Sequence, residues 1–228
     1  MTDGPYIAEA ASLIGDPARA NMLTALLDGR ALTATELGIA AGVAPSTASG
    51  HLGKLLDGKL LAVTVTGRHR YYQLASPIVA RALESLMALA VDGPPRHRPK
   101  AGCDEAMARA RTCYDHLAGK LGVALAGALV ERKQVVLTED GGRVTDAGRT
   151  FFDEVGIDLA PRPTSRRAFC RPCVDWSERR WHIGGTVGAA IASRSFELGW
   201  TARRPEGRAV TITPAGFEAF DCLFGFRL

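Results

Sequence analysis

The 228-residue sequence predicts an α+β protein, mainly helical with small β-hairpins, in two domains of which the second is built from a repeated unit. Three observations lead there. In the N-terminal part, apolar residues recur at helical spacing, interrupted by two β-branched and aromatic runs on either side of a Gly turn. A stretch rich in Pro, Gly and basic residues, 92–102, cannot build a core and reads as a linker. Beyond it the chain matches itself: His116, Gly119 and Gly122 recur as His182, Gly185 and Gly188 at one offset of 66.

Residues 5–14 read as a short helix with Ile7, Ala10, Ala11 and Ile14 turned inward. Asp16-Pro17 starts the next, with Met22, Leu23, Leu26 and Leu27 as its stripe, and Asp28-Gly29 ends it. Thr33 or Thr35 can cap a third helix, closed by Gly42. Pro45 opens a fourth, since its missing N–H is one the first turn leaves unused. On that helix Ala48, Leu52, Leu55 and Leu56 share one side; Ser46, Thr47, Gly50, Gly53 and Lys54 share the other, with Ser49 and His51 on the flanks. Gly58 stops it. A hairpin follows, Leu60–Val65 and His69–Leu74, whose tip carries Arg68, His69 and Arg70. Ser76-Pro77 then begins a helix to Ala90 with an apolar stripe wider than one small domain needs.

Small polar residues on one helix face beside a basic hairpin tip make a surface suited to DNA. The helix would enter the major groove and the tip would reach phosphates or the minor groove. The candidate contacts are Ser46, Thr47, Ser49, Gly50, His51, Lys54, Arg68 and Arg70. A helix pair and hairpin used only for protein interaction is the plainer alternative. Asp16-Pro17-Ala18-Arg19, the run Thr47-Ala48-Ser49-Gly50-His51-Leu52-Gly53-Lys54-Leu55, and Tyr71-Tyr72-Gln73-Leu74 occur in that order. As a set they resemble the ArsR/SmtB-type winged helix-turn-helix repressors. The resemblance implies a winged helix-turn-helix domain over 1–91 that binds operator DNA and dimerises through its first and last helices. The family usually has a long polar side chain where Gly50 stands, so base readout is expected from Ser46, Thr47 and Ser49. The family's metal sites are absent by residue identity, because 33–41 and 76–90 hold no Cys or His.

Net charge is +4, yet residues 1–92 hold seven Lys/Arg against eight Asp/Glu. The DNA argument therefore rests on placement and not on bulk charge. No apolar run approaches a membrane span, no leader pattern is present, and five Cys lack disulfide-framework spacing. A cytoplasmic protein with no membrane partner is expected.

The repeat units are approximately 103–160 and 168–228. Cys113-Tyr-Asp115-His116 resembles Cys173-Val-Asp175…His182, and Gly148 recurs as Gly216 at an offset of 68, so two residues were added between, most simply in a loop. Each unit reads as a Gly-containing apolar helix (118–131 and 184–198), a hairpin, and a helix capped by Thr145 or Thr213. We read two degenerate winged-helix-like units about a pseudo-two-fold, with glycines that let the two repeated helices approach closely. Neither unit has a recognisable recognition helix. This half resembles the extra C-terminal domain of long ArsR-type proteins and is expected to be the sensor.

Cys113, His116, Cys170, Cys173 and His182 are the candidate sensor residues. Cys170-Arg-Pro-Cys173 is a lone C-x-x-C, and zinc needs four ligands. Cys113 and His116 share a face if their segment is helical. Three readings stay open: zinc or another thiophilic metal, thiol oxidation, or small buried Cys with hydrogen-bonded His. Arg166, Arg167, Arg171, Trp176, Arg179, Arg180 and Trp181 read as a solvated helix face with its aromatics inward, or as the receiver of an anionic or planar ligand or a phosphate backbone. Cys103 and Cys222 have no neighbours that suggest chemistry. No nucleophile elbow, phosphate loop or H-E-x-x-H is present, so no catalytic residue is expected. The expected function is a homodimeric, DNA-binding transcriptional repressor tuned by a small-molecule, metal or redox effector. The alternative is a thiol-redox or ligand-handling protein whose winged helix is an adaptor.

Overall fold

The computed structural model describes residues 7–90, 105–160, 168–205 and 207–228. The expected linker 92–102, Cys103, Arg166 and Arg167 lie outside the described residues. The described chain forms two compact units, 7–86 and 87–90 with 105–228. Among the described residues, no helix is long and apolar enough to cross a membrane.

The first unit runs α1 (Ile7–Ile14), α2 (Pro17–Ala25), β1 (Leu32–Thr33), α3 (Ala34–Ala41), α4 (Pro45–Asp57), β2 (Leu61–Thr66), β3 (His69–Leu74) and the start of α5 (Pro77–Ala90). Its sheet has the order β1-β3-β2, antiparallel throughout, with Leu32 opposite Tyr72 and Thr66 opposite His69. Thr33 is the cap of α3: its hydroxyl accepts the Glu36 N–H, and the Glu36 carboxylate accepts the Thr33 N–H at 2.7 Å. Such a capping box satisfies two otherwise orphaned donors and contributes about 1 kcal/mol. Leu37, Ala48, Leu52 and Leu55 are fully buried, so α3 and α4 share one core with α2.

The Asp16-Pro17-Ala18-Arg19 motif has a structural task. Asp16 caps α2 by accepting the Arg19 N–H at 2.9 Å. The buried Arg19 guanidinium donates to the carbonyls of Leu13 (2.6 Å) and Ser12 (2.8 Å), which ties the end of α1 to α2. The expected inward face of α1 is corrected. Ile7, Ala10 and Ala11 are exposed and Ile14 is half-buried, because no described residue of this unit packs over them. On α5, Ala80 and Leu83 are buried while Ile78, Leu86 and Leu89 are exposed.

The second unit begins with α6 (Glu105–Arg109) and then passes twice through one order of elements. The first pass is β4 (Arg111–Cys113), β5 (His116–Ala118), α7 (Gly119–Glu131), β6 (Val135–Thr138), β7 (Gly141–Val144) and α8 (Asp146–Glu154). The second is β8 (Arg171–Val174), β9 (Trp181–Gly184), α9 (Gly185–Glu197), β10 (Thr201–Arg203), β11 (Val210–Ile212) and α10 (Pro214–Ala219), closed by a π-helical turn at Phe220–Phe224. Helices α7 and α9 each have 13 residues and start 66 apart. Thr145 and Thr213 cap α8 and α10, each accepting a glycine N–H at 3.0 Å.

Two expectations change here. Each pass opens with a hairpin, so the unit is hairpin–helix–hairpin–helix and not helix–hairpin–helix. The glycines do not serve a helix–helix contact. Helix α7 packs on β9 and α9 packs on β5, so each helix meets the hairpin of the other pass. A Cβ at Gly188 would run into the Ile183 carbonyl and sit 3.0 Å from the His116 Cβ; one at Gly122 would meet the Leu117 carbonyl and sit 3.4 Å from the His182 Cβ. Leu121, Leu129, Phe152, Val187 and Phe224 anchor the common core.

Candidate nucleic-acid interface and Cys/His site

Helix α4 presents Ser46, Thr47, Ser49, Gly50 and Lys54 to solvent, and its buried side is Ala48, Leu52 and Leu55. Open space surrounds Gly50 and Gly53, so the backbone of this face can approach a partner closely. Ser49 Oγ donates to the Pro45 carbonyl at 3.1 Å and stays exposed. Arg68, His69 and Arg70 are exposed at the tip between β2 and β3. His51 is the exception among the expected contacts. Its Nδ1 lies 3.5 Å from Arg19 Nη1 and 3.7 Å from Asp16 Oδ1. The ring is half-buried against the start of α2, so it fastens α4 to that helix. The Asp16 carboxyl is held below its usual range, first by the Arg19 N–H it accepts.

In the second unit four of the five candidate residues meet. Cys113 pairs with His116 across the β4–β5 hairpin, and Cys173 pairs with His182 across β8–β9. Directly opposed residues of an antiparallel pair put their side chains on one face. The earlier helical reading of Cys113 and His116 is thereby replaced. The separation is three residues in one hairpin (116 − 113) and nine in the other (182 − 173), which is why the Cys repeat at 60 and the His at 66. All four side chains are buried, and their ligand atoms lie within 4.8 Å of one another. The Sγ atoms are 3.8 Å apart, and the two Nε2 atoms 3.1 Å.

Cys170 is not in this group. It stands three residues before Cys173 on extended chain, and side chains alternate faces along a strand, so an odd separation sends the two thiols opposite ways. Cys170 joins the main apolar core, and burial pushes its thiol up to about 11. Cys222 is exposed and apart from the cluster.

Carboxylates stand behind both imidazoles. Asp115 Oδ1 is 3.2 Å from His116 Nδ1, and Asp175 Oδ2 is 3.7 Å from His182 Nδ1. Burial opposes charge on His116, but Asp115 and the neighbouring thiol raise it to about 9. The Cys173 thiol is strongly lowered, first by the hydrogen bond with Cys113 and, against burial, by the two imidazoles. Asp175 is fully buried. Its Oδ1 accepts from Arg111 Nη2 at 2.8 Å and Ser177 Oγ at 2.7 Å; its Oδ2 accepts the Gly119 N–H at 2.6 Å. Burial opposes its ionisation, yet Arg111 and these donors bring it down to about 2. Arg111 is buried too, with its guanidinium carbon 4.3 Å from the Trp176 ring centroid. From Arg171 to Trp181 the basic-aromatic stretch is the β8–β9 hairpin and its loop, and not a helix face. Arg111 carried no signal in the sequence, since a lone arginine reads as solvated until its partner is located.

The Helix-turn-helix domain family matches residues 14–64, which span α2 to most of β2. A curated relative from Bacillus subtilis (strain 168), the uncharacterized HTH-type transcriptional regulator YdfF, is 42% identical over 217 residues, covering 95% of this chain and 96% of its own. The chain belongs to the winged helix-turn-helix transcriptional regulators. The family match of this DNA-binding regulator falls in the unit that carries its ArsR/SmtB-type motifs, and the relative's coverage extends the likeness through the second unit as well. Solved structures resemble part of the chain. The homodimeric winged helix-turn-helix DNA-binding domain of Mb0332 from Mycobacterium bovis, a possible ArsR-family transcriptional regulator, is 23% identical, covers 43% of this chain and 97% of its own, and has a TM-score of 0.36. The cadmium sensor CMTR from Mycobacterium tuberculosis is 37% identical, covers 35% and 81%, and has a TM-score of 0.31.

Proposed function

We propose that this regulator is a homodimeric repressor of the ArsR/SmtB type, cytoplasmic and without catalytic turnover, whose hold on its operator is altered by an effector at the second unit. The observation that carries the DNA-reading part is the exposed face of α4 beside a basic tip. Ser46, Thr47 and Ser49 would read base edges; Lys54, Arg68 and Arg70 would meet phosphates or the minor groove. Dimerisation is supported by exposed apolar side chains on the helices that bracket the unit, Ile7 (82% exposed) on α1 and Ile78 (66%) on α5. An effector changes DNA affinity only as far as it binds the free and DNA-bound forms differently.

Fluorescence anisotropy on DNA from upstream of the regulator's own gene tests this reading. Tight binding, weakened by salt, is expected from a species of dimer mass. Arg68→Ala with Arg70→Ala should weaken binding to every sequence and reduce the salt slope by about one per lost phosphate contact. An unchanged slope would remove those two side chains from the interface. A thiol-redox reading has one observation behind it, the 3.8 Å approach of Cys113 and Cys173. Binding that changes only on oxidation would favour it.

A further inference from the structure

We infer that Cys113, His116, Cys173 and His182 form a tetrahedral site for one zinc-type divalent metal ion, built across the two passes of the second unit. Its effect on DNA affinity rests on the reading of that unit as regulatory; the binding itself stands on geometry alone.

Two thiols and two imidazoles form the donor set that suits zinc. The spacing fits as well. A zinc–sulfur bond of about 2.3 Å in a tetrahedron puts the two sulfurs about 3.8 Å apart, and zinc–nitrogen bonds of about 2.05 Å put the nitrogens about 3.3 Å apart. The observed separations are 3.8 Å and 3.1 Å. A disulfide would need about 2.05 Å between the sulfurs.

The carboxylates supply the second, independent observation. Metal-bound histidines regularly give their other ring N–H to a carboxylate, which fixes the tautomer. Here Asp115 Oδ1 is within hydrogen-bond distance of His116 Nδ1 at 3.2 Å, while the buried His182 Nδ1 has Asp175 Oδ2 at 3.7 Å and makes no hydrogen bond. With its proton on Nδ1, an imidazole has only a lone pair on Nε2. Two such imidazoles, 3.1 Å apart at Nε2 in a buried space, offer both lone pairs to one cation; without it a single N–H···N hydrogen bond spans the same gap.

The site is closed. All four donors come from the protein, and Cys113 and His182 are each 1% exposed. Four protein ligands leave no open position for substrate, which is the pattern of a metal that holds structure. The register explains why: each hairpin contributes one thiol and one imidazole, and the ion joins the hairpins.

The test is the metal content of the full chain, purified under reducing conditions without affinity metals. One zinc per chain is expected. Replacement by cobalt should give the intense visible bands of tetrahedral Co(II) together with sulfur-to-cobalt charge transfer. Asp115→Asn, on a partly exposed side chain, should fold and weaken metal affinity about 10–100-fold. His182→Cys keeps a donor atom and should retain the metal with stronger charge transfer, which guards against a variant that loses metal by unfolding. Cys222→Ser should match the unaltered chain. The inference is overturned if the folded chain takes up no metal, if Cys113 and Cys173 are found as a disulfide, or if cobalt binds without sulfur charge transfer. One metal per chain upholds it whether or not the operator fragment is bound, so its failure and that of the repressor reading are told apart.

Discussion

Arg111 and Asp175 join the two passes of the second unit through a charge pair with almost no solvent around it. Asp175 also accepts the N–H of Gly119, the first residue of α7, while its loop leads into the strand that carries His182. Removing one partner of such a pair leaves a buried charge without compensation, which costs about 3–5 kcal/mol. Asp175→Asn is therefore expected to lower stability by that order in a denaturant melt. A melt that matches the unaltered protein would mean that Arg111 has found another acceptor. The same residue scale explains the difference between Cys170 and Cys173. Their C-x-x-C spacing looked like a chelating pair, but on extended chain an odd step separates the side chains to opposite faces.

At the scale of the element, glycines of one helix type answer to different neighbours. Gly188 lies where α9 meets the β4–β5 hairpin, and an added methyl would overpack the Ile183 carbonyl and His116. Gly188→Ala is expected to destabilise by about 1–3 kcal/mol. Gly127, in α7, has only the end of Arg180 near an added methyl, at 3.9 Å. Gly127→Ala should stabilise by about 0.8–1 kcal/mol through helix propensity. Thermal melts of both variants check the contrast; equal effects would mean the close packing at Gly188 is not retained in solution. Local signals made much of this architecture legible in advance. Thr33, Gly42, Pro45 and Gly58 marked helix ends, Thr145 and Thr213 marked caps, and the offsets of 66 and 68 marked the duplication. The opening hairpins β4–β5 and β8–β9 were not legible, because three- and four-residue strands carry too little period-2 pattern to stand against flanking helices. The candidate site was found as residue types, but its membership needed the hairpin register. The exposure of α1 is not legible, because an apolar stripe records only that something covers it, not what.

For the whole molecule, the repressor and metal readings make one joint prediction. Metal bound to the folded state alone stabilises it in proportion to the logarithm of its concentration over Kd. Stripping the ion with a chelator should raise hydrogen exchange in peptides from 105–228 and leave those from 7–86 unchanged. A uniform rise, or none, would contradict a metal confined to the second unit. DNA affinity measured on the same two samples then reports whether the ion is sensed by the reading domain or only maintains the fold.

The division of donors between the passes carries one more implication. One pass alone offers a thiol and an imidazole, a bidentate chelator that fills half a tetrahedron. Separate copies could complete the shell only by pairing, and their affinity for the ion would then depend on protein concentration. Joined in one chain, the two chelators meet at an effective concentration of about millimolar order. Tandem fusion has made ion capture first-order in protein, so a scarce regulator loads at the same free metal level as an abundant one.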